Sequence, residues 1–144
     1  MKIAKIIIAA VVFAVIAQTI ATVEAFLAMD FYTDPAYFPV WSKIMMPGAG
    51  PPPPEFFYYS ISFSFINGLI FVYVFTLVKG LHKSAPYWMA GKKYGFFVWL
   101  LAGVPFSLTL YLLVNLPVML LIYWAISSLI TYVLAGIATS RIFK

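Results

Sequence analysis

The chain has no cysteine and only one histidine in 144 residues. The first absence excludes disulfides, thiolate metal sites and thiol redox chemistry, including that of small four-helix thiol oxidases. The second leaves His82, in a basic loop, as the only imidazole. A zinc site needs several nitrogen or sulfur ligands, and a haem needs an axial ligand facing a bundle interior. No metal and no cofactor is therefore expected. Charge is scarce as well: 9% of residues are charged and 65% hydrophobic, against roughly a quarter charged in soluble domains. That is too little polar surface to cover a water-soluble globule, so the solvent is lipid. Motifs of catalysis are missing too. There is no HExxH, no serine–histidine combination within an apolar run, and no phosphate-cradling loop, because the glycines of Pro47-Gly48-Ala49-Gly50 lack the lysine and helix that must follow. An enzyme is not expected.

What the chain does have is four long apolar runs. The expected fold is an all-α integral membrane protein, a single four-helix bundle with spans at about 6–28, 56–78, 94–114 and 118–137. Each is near the ~20 residues that cross a bilayer. The first run follows Lys2 and Lys5, and Val23-Glu24-Ala25 fits a signal-peptide cleavage site. Its apolar part is long for a signal peptide, so retention as a first span is expected. Its face carries Ala10, Ala14, Ala17, Ala21, Ala25 and Ala28 at spacings of three and four. Ala125, Ser128, Ala135 and Ala138 make a second such face. Small residues let helix backbones approach where no hydrophobic drive exists between helices.

Between spans one and two lies a long loop, residues 30–55. It holds Asp30, Asp34, Lys43 and Glu55, the aromatics Tyr32, Tyr37, Phe38 and Trp41, and the four prolines Pro51 to Pro54. Pro35 and Pro39 break a regular helix, the proline run favours polyproline II, and the aromatics suit the headgroup zone. The acids show no calcium-loop spacing. The other loop, residues 79–93, carries Lys79, His82, Lys83, Lys92 and Lys93 with no acid; Gly91 and Gly95 within it read as loop flexibility before helix contact. Gly103 and Pro105 fall mid-span, where proline kinks a helix, and Asn115-Leu116-Pro117 makes a tight turn with Pro117 opening the fourth span.

Placing both termini and the 79–93 loop inside puts Lys2, Lys5, Lys79, Lys83, Lys92, Lys93, Arg141 and Lys144 there, leaving only Lys43 outside. The positive-inside rule then gives cytoplasmic termini in a multi-pass protein of the cell membrane. With a net charge of +5 concentrated at span ends, the expected partner is anionic lipid rather than nucleic acid. No internal repeat is evident, and the plan is similar to that of many small prokaryotic four-span proteins.

Polar residues at mid-depth are the candidate site. At 1.5 Å per residue, Gln18 lies roughly 18 Å from the inner boundary and Asn67 roughly 16 Å from the outer one. Ser107 and Ser127-Ser128 fall at the same level, and Ser60 and Ser64 share a face with Asn67. Such groups must face one another, a ligand or water. The plain reading is interhelical hydrogen bonding; the functional one is a polar pocket or path at Gln18, Ser64, Asn67, Ser107 and Ser128. Glu24 invites comparison with proton-coupled four-helix exporters, which carry a carboxylate in the first span. At about 27 Å from the inner boundary, however, it is expected at the outer interface, in reach of water. The Tyr and Trp residues at both boundaries read as anchors before quinone sites. The leading expectation is a non-enzymatic accessory subunit contacting a membrane-protein partner or a second copy through its helix faces and outer loop. The alternative is a small oligomeric transporter or channel using the polar layer.

Overall fold

A computed structural model describes residues 2–48, 50–78, 80 and 86–144. His82, Lys79 and Lys83 lie outside the described residues. Among those described there is no strand. Helix α1 runs Lys2–Leu27, a short α2 Met29–Thr33, and a 3-10 helix Pro35–Val40. Then come α3 (Pro54–Val78), α4 (Tyr87–Val98), a π-helical turn (Trp99–Gly103), α5 (Val104–Leu113) and α6 (Val118–Ile142). Four helical stretches are long and apolar enough to cross a membrane: Ile3–Leu27, Pro54–Val78, Tyr87–Leu113 and Val118–Ile142. A 25-residue helix rises about 37 Å, enough for a ~30 Å hydrocarbon core. Most of their apolar surface faces outward, with Leu101 80% and Leu112 81% exposed. The chain is a multi-pass membrane protein with that surface in lipid.

The spans alternate in direction, so both chain ends lie at one end of the bundle. There Phe143 meets Phe75 near the end of α3, Lys144 lies over the Tyr87 ring, and Ile6, Val78 and Ile142 join the same apolar cluster. Helix α6 packs on both α4 and α1, and α1 packs on α3. The half of the bundle nearest the chain ends is filled by rings from all four spans. Phe71 is 5.1 Å from Phe13, 4.8 Å from Tyr94 and stacked at 5.8 Å on Tyr132. The Tyr94 phenol donates to the Phe71 carbonyl at 2.6 Å, tying α4 to α3.

Small residues set the spacing. A Cβ on Gly68 would lie 2.7 Å from the Ala10 carbonyl oxygen, and Ala9, Ala10 and Ala14 are buried beside it. A Cβ on Gly91 would run into the backbone of Gly136, and one on Gly95 into that of Tyr132. The expected alanine and Ala135 faces are thus consumed inside the bundle, although Ala21 stays exposed. Gly91 and Gly95 do not loosen a loop. The third span starts at Tyr87, seven residues before the expected 94, and these glycines are its contact with α6. The lysines at 92 and 93 mislead because both are exposed, on the side away from that contact.

Further along the same span, the π turn precedes Pro105 and separates its ring from the carbonyl four residues back. Gly103 leaves room for the Trp99 indole, which a Cβ there would meet at 2.6 Å. The indole N–H donates to the Ala125 carbonyl of α6 at 2.9 Å. Beyond this bond α5 buries no residue. Pro117 caps α6 rather than opening it, its carbonyl accepting from the amides of Leu120 and Leu121. Of the four prolines only Pro54 is helical, as the first residue of α3.

Backbone-to-backbone contact makes one substitution decisive. Gly95→Val should lower stability by about 3 kcal/mol, the upper part of the overpacking range, read as a lower melting temperature in detergent. Gly48→Ala, where a Cβ meets nothing within 4 Å, should leave it unchanged.

Candidate functional site

The polar residues collect in the half of the bundle opposite the chain ends. A cleft of about 260 Å³ lies between α1, α3 and α6. Its walls are Phe13, Ala17, Ile20, Ala21 and Glu24 of α1, Ser64 and Asn67 of α3, and Trp124, Ser127, Ser128, Thr131 and Tyr132 of α6. No residue of α5 lines it, so three spans bound the cleft. The aromatic cluster of Phe13, Phe71, Tyr94 and Tyr132 closes its deep end.

The sequence candidates divide. Gln18 is held between α1 and α3, its amide donating to Ser60 at 2.9 Å and Ser64 at 2.8 Å. That is interhelical hydrogen bonding and uses both amide hydrogens. Asn67 does not meet Gln18. It lines the cleft, exposed, with no side-chain hydrogen-bond partner among the described residues. Ser128 lines the cleft but donates to the carbonyl of Ala125 in its own helix at 2.9 Å. Ser107 is apart from the others, donating to the Gly103 carbonyl at 3.0 Å on the span that does not border the cleft. The polar groups of four helices therefore do not form one layer.

Glu24 departs most from expectation. It is 8% exposed, and that exposure is to the cleft rather than to the outer face. Counting residues along α1 treats everything after Leu27 as outside, whereas the chain folds back at once. Ala28 is fully buried, and α2 and the 3-10 helix lie over the helix ends. Asp34 makes this turn by accepting from the Ala36 amide at 2.9 Å, so Pro35 and Pro39 end the α-helix but are accommodated in 3-10 geometry. The folded-back segment brings Tyr32 onto Glu24, its hydroxyl 3.3 Å from each carboxylate oxygen. The Trp124 indole N–H donates to the Tyr32 oxygen at 2.7 Å. Burial pushes the Tyr32 phenol well above its ordinary range, so it stays a donor. Trp41 covers both, 5.3 Å from the Tyr32 ring and 6.4 Å from that of Trp124, and its own indole N–H is buried without a partner among the described residues. Phe31 rests 6.4 Å from Tyr123.

Tyr32, Trp41 and Trp124 were not expected at a site. Interfacial aromatics are usually anchors, and these three read as such. One signal was present in Trp124: it sits six residues into the fourth span, about 9 Å past its start, deeper than an anchoring belt. Among the described residues no Lys, Arg or His lies within salt-bridge distance of Glu24, and no group of three or more His, Asp or Glu could hold a metal ion. Comparison of the chain with protein-family models, with curated proteins and with solved structures gives no match.

The two amides should behave differently. Gln18→Leu removes two interhelical hydrogen bonds, each about 0.6 kcal/mol, and should lower the melting temperature measurably. Asn67→Leu should leave it unchanged.

Proposed function

We propose that this chain is a non-enzymatic multi-pass protein of the cell membrane, with both termini in the cytoplasm, that holds a small solute in the cleft between α1, α3 and α6. The observation that carries this reading is Glu24: a carboxylate 8% exposed within the first span, lining an open cleft, with no cation beside it among the described residues. Ionisable groups buried in a membrane bundle are costly and mark ligand or ion sites. Asn67, Ser127 and Thr131 line the same space and form no hydrogen bond within the protein among the described residues, so they can turn to a ligand. This supports a solute-binding reading, nearer the transporter alternative than the accessory subunit, since the bundle's own helices take up most of the two small-residue faces and Ala17, Ala21 and Ser128 line the cleft. Charge supports the orientation. Lys5, Lys92, Lys93, Arg141 and Lys144 share the end that holds the termini, and Glu24, Asp30, Asp34 and Glu55 the other. One observation favours the second reading, in which the chain docks a membrane partner: the loop after the 3-10 helix presents Ile44, 52% exposed, next to the exposed Lys43.

The absence of cysteine makes the test direct. In intact cells a small, membrane-impermeant thiol reagent should label Lys43→Cys and Asn67→Cys, and should reach Lys144→Cys only after permeabilisation. Ser107→Cys, on the lipid side, should stay unlabelled, because a thiol in lipid does not ionise. An unreactive Asn67→Cys would mean a dry cleft and would leave the docking reading; labelling of Lys144→Cys without permeabilisation would reverse the topology.

A further inference from the structure

The walls of the cleft specify its ligand further. We propose that it is a site for a small ammonium-type cation, with Glu24 as counter-charge and Trp124, Tyr132 and Phe13 as aromatic walls, an assignment that rests on the solute-binding reading above. Three features select this class. The hydrogen-bond chain runs from the Trp124 indole to the Tyr32 oxygen and from the Tyr32 hydroxyl to both oxygens of Glu24. Trp124 is a donor only, so it directs the phenolic hydrogen onto Glu24, and the carboxylate is the acceptor at the end of the chain. The protein thus meets the Glu24 oxygens with neutral donors only, and a cation in the cleft would supply the missing counter-charge. Second, three of the residues lining the cleft are aromatic. Ring faces attract ammonium groups, most strongly once both are desolvated.

Third, the cleft is poor in charged oxygen: beside Glu24 the uncommitted oxygens are the neutral ones of Asn67, Ser127 and Thr131. There is one carboxylate; Ser64 accepts from Gln18, and the Ser128 hydroxyl is bonded to its own helix. Hard cations take six or more oxygens, whereas an ammonium needs one counter-charge and a shaped wall. Size agrees: about 260 Å³ is just below the ~300–1,000 Å³ of drug-sized ligand sites. An ammonium group could come from a free solute or from a lipid headgroup.

The test uses the full chain in nanodiscs of phosphatidylglycerol, titrated calorimetrically with tetramethylammonium chloride in potassium phosphate and, in parallel, with sodium chloride. Saturable tetramethylammonium binding is expected, weakened at least tenfold in Glu24→Gln, which keeps the shape of the side chain and an acceptor for Tyr32. Asn67→Trp, which fills the cleft from the α3 wall and leaves the Glu24 carboxylate in place, should abolish it. Gln18→Leu should not alter it. Repeating the titration with phosphatidylcholine in the disc separates the sources: a weaker apparent affinity identifies the lipid headgroup as occupant, and an unchanged one a free solute. Absence of saturable binding, equal affinity in Glu24→Gln with an unchanged melting temperature, or an equally strong response to sodium would overturn the assignment. If Asn67→Cys is labelled and tetramethylammonium still does not bind, the ammonium class fails and the solute cleft stands.

Discussion

The structure depends on how closely α6 approaches α4. Gly91, Gly95 and Gly136 let one backbone rest against the other, a distance that no side chain would permit. Lipid gives helices no hydrophobic reason to associate, so this intimacy of packing has to hold them. Close contact at the end bearing the termini has a geometric consequence at the other. The third span is tied to α6 through Trp99 and Ala125, then loses regular α geometry at the π turn and continues as a half-helix that buries nothing. The cleft lies in that same half, between α1, α3 and α6. Tight glycine contacts in one half and an unfilled space in the other are two parts of one arrangement.

Much of the architecture was legible because hydrophobic length and charge asymmetry are local signals. Four spans are found where four apolar runs occur, the turn at residues 114–117 is short, and the mid-span Gly103–Pro105 region is irregular. What was not legible is mostly long-range. Gly91 and Gly95 were obscured by the neighbouring lysines, and only their partner Gly136, forty-odd residues away in sequence, reveals them as contact surface. Gln18 could be placed on the face towards the second span's serines because a straight helix converts sequence spacing into position. Depth counting failed for Glu24, because burial there is decided by residues 28–41 folding over the helix end. That fold-back combines a fully buried Ala28, an Asp34 cap and 3-10 geometry through two prolines. No periodicity announces it. The same blindness explains Tyr32 and Trp41, which become site residues only once the segment has turned back.

The two halves of the bundle differ in how readily they can move. Nearest the termini, rings from four spans interlock, the Tyr94 phenol bonds α3 at 2.6 Å, and glycines hold α4 on α6. To open a path there, many dispersion contacts and backbone approaches would have to break together. At the other end the lid comprises a five-residue α2 and a 3-10 turn. It already carries an unpaired Trp41 indole N–H, a cost of about 1–3 kcal/mol that exposure to water would relieve. Helix α5 packs on α6 and on the π turn but buries no residue of its own and lines none of the cleft. Motion that loads and empties the cleft is therefore cheapest on the lid side. On the solute-binding reading proposed above, a rigid floor beneath a light lid makes capture from one face the less costly step. A carrier would need a second, costlier rearrangement among Phe13, Phe71, Tyr94 and Tyr132. The energetic contrast between floor and lid thus separates ligand capture from passage, and it places the decisive residues for each in different halves of the bundle.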